Sequence, residues 1–175
     1  MKEFQLHDMD CLKQLIGKSV SNIFYQPVAG ILAYTDMFVV NFGEKIDDSL
    51  HIFSFFRVIN KDKIILTSSD CFFDENFDRL SSELADKSRD ELFNGTLLHS
   101  NIQRVKDTLN HAKVVNAYCN NVGDVIIEFD NSTIMQILID ALCDQECYRL
   151  IHYFDNHSEH EIVECRKAQL YYYTE

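Results

Sequence analysis

Two arginines stand where strand-like alternation puts a charge among apolar side chains, and they are the residues of this chain best suited to hold an anion. By alternation, Arg57 shares a strand face with Phe53, Phe55 and Ile59, and Arg149 with Cys147, Ile151 and Tyr153. A guanidinium on such a face requires a carboxylate or a ligand anion, because burying it unpaired is expensive. Two arrangements satisfy it. Either each arginine pairs internally, with Asp70, Glu128 or Glu146, and fixes strand register, or both enter one central groove that receives an acidic group. In the second arrangement Arg57, Arg149, Asp70 and Glu146 are the candidate ligand-binding residues.

Other chemistry is sparse. His157-Ser158-Glu159-His160-Glu161, with Asp155 just before, reads H-x-x-H-E, which is neither H-E-x-x-H nor H-x-x-E-H. It falls in a hairpin turn, where a helical i, i+3 spacing does not apply, so no bound metal is expected. Cys143 and Cys147 are four apart but lack a second close Cys/His pair, which argues against structural zinc. No G-x-S-x-G marks a nucleophile, and the 5 glycines form no G-x-G loop for a phosphate. The sequence therefore names no catalytic residue and no cofactor, and weighs against an enzyme. Tyr171-Tyr172-Tyr173 reads as an edge strand with packed rings.

Charge is the remaining functional signal. The 175 residues hold 28 acidic and 16 basic side chains, a formal charge of −12, with 46% hydrophobic residues. That balance excludes general nucleic-acid binding, which needs clustered Lys and Arg, and the apolar content excludes intrinsic disorder. The stretch from Asp70 to Asn94 carries eight acidic residues against three basic ones, and 140–164 carries seven against Arg149 alone. Plain solubility explains such a surface, and so does steering of a basic protein partner. On the second reading Asp74, Glu75, Asp78, Glu83 and Asp86 are the partner-binding candidates. No signal-peptide core follows Met1, no apolar run is long enough to cross a bilayer, and the six cysteines are scattered. The expectation is a soluble, cytoplasmic protein with reduced thiols and no membrane or nucleic-acid partner; a homo-oligomer is compatible with it.

The elements that must position these residues follow from periodicity. Asp10 caps a short helix over 11–16 that Gly17 ends. Strands are predicted over Ser19–Tyr25, Gly30–Thr35, Met37–Phe42, Leu50–Ile59 and Lys63–Thr67, with Leu50–Ile59 a central strand covered on both faces. A short helix around Phe77–Lys87 interrupts the acidic stretch. Leu98, Ile102, Val105 and Leu109 then form one apolar helical stripe. Further strands are predicted over Lys113–Cys119, Asp124–Asp130, Thr133–Ile139, Glu146–Phe154 and Glu161 to about Tyr172.

The halves run in parallel. Lys18, Gly30, Asp36, Arg57 and Ile64 recur in order as Lys113, Gly123, Asp130, Arg149 and Ile162. The implied fold is α+β and mostly antiparallel, with two pseudo-repeated halves of one helix and about five strands each, packed as a sandwich or barrel-like unit. Residues 1–175 form a single domain, with 8–70 the first half, 71–95 an acidic connecting segment and 96–172 the second half. Leu50-His51-Ile52 leading to Phe56-Arg57, Ser68-Ser69-Asp70, Gly123-Asp124-Val125-x-Ile127-x-Phe129 and Glu146-Cys147-Tyr148-Arg149 resemble a group of small uncharacterised cytosolic proteins of low-GC Gram-positive bacteria. That group has no established activity, so the resemblance implies no catalytic residues. The functional expectation is a non-enzymatic protein-binding module with an acidic surface, by analogy of type an immunity partner of a toxin. The alternative is a small-molecule binder or enzyme with an anionic ligand held between the halves by Arg57 and Arg149.

Overall fold

A computed structural model describes residues 2–4, 10–26, 37–73, 96–139, 146–154, 160–166 and 169–174. In chain order the elements are β1 (Lys2–Phe4), a 3-10 helix (Asp10–Leu15), β2 (Val20–Gln26), β3 (Met37–Phe42), β4 (Asp48–Ile52), β5 (Phe56–Asn60) and β6 (Lys63–Thr67). A second 3-10 helix (Ser68–Phe72) precedes α1 (Leu97–Leu109). Then come β7 (Val114–Cys119), β8 (Val125–Phe129), β9 (Thr133–Ile137), β10 (Glu146–Tyr153), β11 (His160–Arg166) and β12 (Gln169–Thr174). The strands form a seven-stranded sheet ordered β1-β12-β11-β10-β4-β3-β2 and a five-stranded sheet ordered β6-β5-β9-β8-β7. The fold is mostly antiparallel β with one α-helix among the described residues. None of them forms a helix long and apolar enough to cross a membrane.

Period-two alternation assigns the faces. Leu50 lies opposite both Val40 and Leu150 in the larger sheet, Val58 opposite both Leu66 and Met135 in the smaller, and all six enter one core. Phe38 of β3 and Phe56 of β5 stack across the layer, with centroids 4.4 Å apart and planes 18° from parallel. The stripe of α1 (Leu98, Ile102, Val105, Leu109) is buried in the same core, and Thr96 caps the helix by accepting from His99 N–H at 3.3 Å. At one side the sheets join: Gly17 N–H donates to Val114 O at 2.8 Å, and Val114 N–H to Lys18 O at 2.9 Å. Gly17 takes φ +85°, the left-handed conformation that stops the first helix.

Three sequence expectations change. Leu50–Ile59 is not one strand: Phe53-Ser54-Phe55 interrupts it, and β4 and β5 belong to different sheets. Both Phe53 N–H (2.9 Å) and Ser54 N–H (3.0 Å) donate to Cys147 O, which holds the chain as it leaves one sheet for the other. Periodicity cannot show this, since Ile52 and Phe53 before Ser54, and Phe55 and Phe56 after it, are as apolar as a continuous strand requires. The last strand is likewise two, β11 and β12, paired with each other, with β1 added at the outer edge of β12. Finally, the sheets are not the two halves. The larger takes β2–β4 from residues 8–70 and β10–β12 from 96–172, while the smaller takes β5 and β6 from the first stretch and β7–β9 from the second. The predicted strand Gly30–Thr35 and helix Phe77–Lys87 lie outside the described residues.

Phe56 bridges the two sheets through Phe38 and is only 6% exposed. Phe56→Ala is expected to lower unfolding free energy by about 3–5 kcal/mol, measured by urea denaturation.

Candidate functional site

The larger sheet is buried on its second face as well. Val39, Ile151 and Ile162 point away from the shared core yet are 1%, 6% and 2% exposed. Set among them is a polar layer: Asn41, Ser49, His51, Arg149, Glu164 and Tyr173. The register places Arg149 between His51 on one side and Glu164 on the other. A bulge between Glu146 and Tyr148 turns Cys147 into the core and leaves Glu146 on the side of Arg149. Without it, residues three apart would point to opposite faces. Cys147 therefore does not share the face of Arg149, contrary to simple alternation. Arg149 instead donates through Nε and a terminal nitrogen to both oxygens of Glu146, and its guanidinium lies 5.4 Å from the centre of the Phe53 ring. Arg166 reaches Glu146 Oε2 at 3.5 Å and also bonds Glu164, which accepts from Tyr173 Oη at 2.9 Å. Two guanidiniums and two carboxylates balance.

Beside this cluster, Ser49 and His51 look like a nucleophile and its base. The proton runs the other way. Ser49 Oγ donates its single hydrogen to Asn41 Oδ1 at 2.7 Å, so at 2.9 Å it accepts from His51 Nε2. Burial, with Arg149 adding to it, pushes the His51 imidazole down to about 4, which makes it a weak base at neutral pH. Cys11, Cys119 and Cys165 are no better as nucleophiles. Burial pushes Cys11 and Cys119 up to about 11, and the hydrogen bond with Cys147, with burial second, raises Cys165 further.

Arg57 lies elsewhere. It sits on β5 with an exposed side chain, faces away from the core on the smaller sheet, and donates from Nε to Gln136 Oε1 at 2.6 Å. Phe53 and Phe55, expected on its face, belong to the crossing between sheets; Ile59 alone remains there. Arg57 and Arg149 thus occupy opposite outer faces, and the structure does not bring them into one groove. Asp70 meets neither. Its carboxylate accepts from Thr67 N–H at 3.1 Å, completing a capping box on the second 3-10 helix, and from Asn101 Nδ2 of α1 at 2.9 Å. Next to it, Leu97 N–H donates to Phe73 O at 2.8 Å. The two ends of the acidic segment are therefore bonded to each other. Asp74, Glu75, Asp78, Glu83 and Asp86 lie outside the described residues, as do Cys143 and 155–159 of the histidine-rich turn. Among the described residues no three His, Cys, Asp or Glu side chains are grouped as a metal would need.

Sequence reasoning missed one charged centre altogether. Asp48, fully buried, accepts from Gln14 Nε2 at 3.0 Å and pairs with Lys18 and with His152 Nδ1 at 2.8 Å. It ties the first 3-10 helix, the start of β2, β4 and β10 together at one end of the sandwich. The turn before it depends on Gly43, at φ +85°, where a Cβ would overlap the Asp47 carboxylate. Only the tertiary pairing marks Asp48, because Asp47-Asp48 reads as part of that turn.

Comparison with protein-family models, with curated proteins and with solved structures gives no match for this chain.

Two outcomes follow from these contacts. Asp70→Ala should lower unfolding free energy by about 1 kcal/mol in urea titrations, through loss of the cap. For His51, the unfolded imidazole titrates near 6.5 and the folded one near 4, so the unfolded chain binds the extra proton first. Stability should fall as pH drops from about 6.5 to about 4, and the difference between wild-type and His51→Gln unfolding curves should show that limb.

Proposed function

We propose that this protein is a non-enzymatic, cytoplasmic binding module that engages a basic protein partner through its acidic segment. An immunity-type role, with a toxin as the partner, is one form of this reading. The observation that carries it is where the charge lies. The described residues hold 14 acidic and 12 basic side chains, against 28 and 16 in the whole chain. The described residues are thus close to neutral, and most of the acidic excess falls outside them, the longest such stretch being 74–95 with seven acidic residues against three basic. The described residues that flank it are joined to each other, by the Phe73–Leu97 hydrogen bond and the Asp70–Asn101 bond. Negative charge concentrated in one stretch of chain steers a cationic surface and holds it by contacts that weaken with salt. The opposed proton direction at Ser49–His51 and the raised thiols support a binding role over catalysis.

The repeat belongs to the same reading. β2-β3-β4 followed by β5-β6, and β7-β8-β9 followed by β10-β11, each lay three strands in one sheet and two in the other. That count takes only the described residues; with the predicted strand Gly30–Thr35, which lies outside them, β3 aligns with β9 as the Asp36 and Asp130 markers have it.

The test is retention of a partner from the native cell, wild type against a variant with Asp74, Glu75, Asp78, Glu83 and Asp86 changed to Asn or Gln. Wild type should retain a Lys/Arg-rich protein whose association slows at least about tenfold when salt is raised from about 50 to 500 mM, and the variant should lose it. A blank with wild type, or equal retention by a folded variant, would overturn the proposal.

A further inference from the structure

The two sheets differ in how their outer faces are treated. That of the larger is buried; that of the smaller is open. Cross-strand register sets out two rows on this open face. One runs Ile64, Ile59, Ile134, Glu128 from β6 to β8, and the other runs Arg57, Gln136, Ile126, Tyr118 from β5 to β7. Ile64 and Tyr118 at the margins are 54% and 41% exposed, and the isoleucines between them are partly exposed. A sheet face this apolar on an isolated domain marks an interaction surface.

We propose that a second copy of this chain covers it, in a two-fold dimer packed face to face. The argument is the placement of charge. β9 is the central strand of the five, and Arg57 on β5 and Glu128 on β8 flank it on opposite sides. They are the two charged residues in the rows. A partner of one charge sign would gain from one of them and oppose the other. A copy related by a two-fold axis in the plane of the face, bisecting the line between the two residues, sets Arg57 of each protomer over Glu128 of the other, with Ile134 near the axis. The face is also neutral in a chain of net charge −12, so two copies meet there with least repulsion. Five strands about 4.8 Å apart and about five residues long give about 400 Å² per copy. The contact is thus at the low end of specific interfaces, and a dimer of micromolar strength is expected.

Sedimentation equilibrium over about 1–200 µM tests it, with circular dichroism confirming that each variant is folded. Wild type should shift with concentration from 20.4 kDa to twice that mass, and Ile134→Asp should remain monomeric. Arg57→Glu and Glu128→Arg should each raise the dimer dissociation constant about tenfold, and the double variant should restore it, because the pair is re-formed with its charges exchanged. Wild type that stays monomeric throughout, a dimer unaffected by Ile134→Asp, or a double variant weaker than either single change would overturn the proposal. Neutralising 74–86 leaves Arg57, Glu128 and Ile134 unchanged, so that variant should keep the dimer.

Discussion

The carbonyl oxygen of Cys147 is the point on which the sandwich turns. It accepts from two successive amides, those of Phe53 and Ser54, at the place where β4 ends and the chain passes to β5. A strand that continued straight would keep Phe56 and Val58 in the larger sheet. The bend carries them into the smaller one, where Val58 meets Met135 and Phe56 closes the layer against Phe38. The oxygen is available because β10 bulges at that same residue. The bulge also sets Glu146 beside Arg149. One local irregularity thus ties the two sheets together and builds the ion-pair cluster. The Ser54 hydroxyl is buried at this bend.

Among the described residues, the buried and half-buried charges of the larger sheet are neutralised where they stand. Arg149 and Arg166 face Glu146 and Glu164, and Asp48 faces Lys18 and His152. Removing one member of such a set leaves its partner desolvated, so these groups act as fixed joints between elements. They bind register and sheet ends, and they leave little unbalanced charge for a ligand. What the described residues leave available lies outside these sets, on the largely apolar open face of the smaller sheet.

Much of this was legible along the chain and some was not. The stripe of α1 and the hairpins β5–β6, β7–β8 and β8–β9 follow from periodicity and turn residues, because their partners are close in sequence and their alternation is unbroken. The pairing of Arg149 with an acidic neighbour was among the readings its burial allowed, and Glu146 is that neighbour. The separation of Arg57 from Arg149 was hidden, since both sit in similar strand patterns and nothing local says which sheet a strand joins. Asp48 was hidden for a related reason: its partners Gln14, Lys18 and His152 lie 34, 30 and 104 residues away.

By itself, then, the sequence determined the mostly antiparallel strand character, the helix stripe and the concentration of acid in residues 70–94. All of these depend on composition and on spacings of a few residues. Tertiary structure alone decided that each sheet mixes strands from both stretches, that the strongest apolar run divides at Ser54, and which charges meet. Those are questions of which distant backbone groups pair. An apolar strand carries no mark of its neighbour, because the hydrophobic effect that buries it is indifferent to direction.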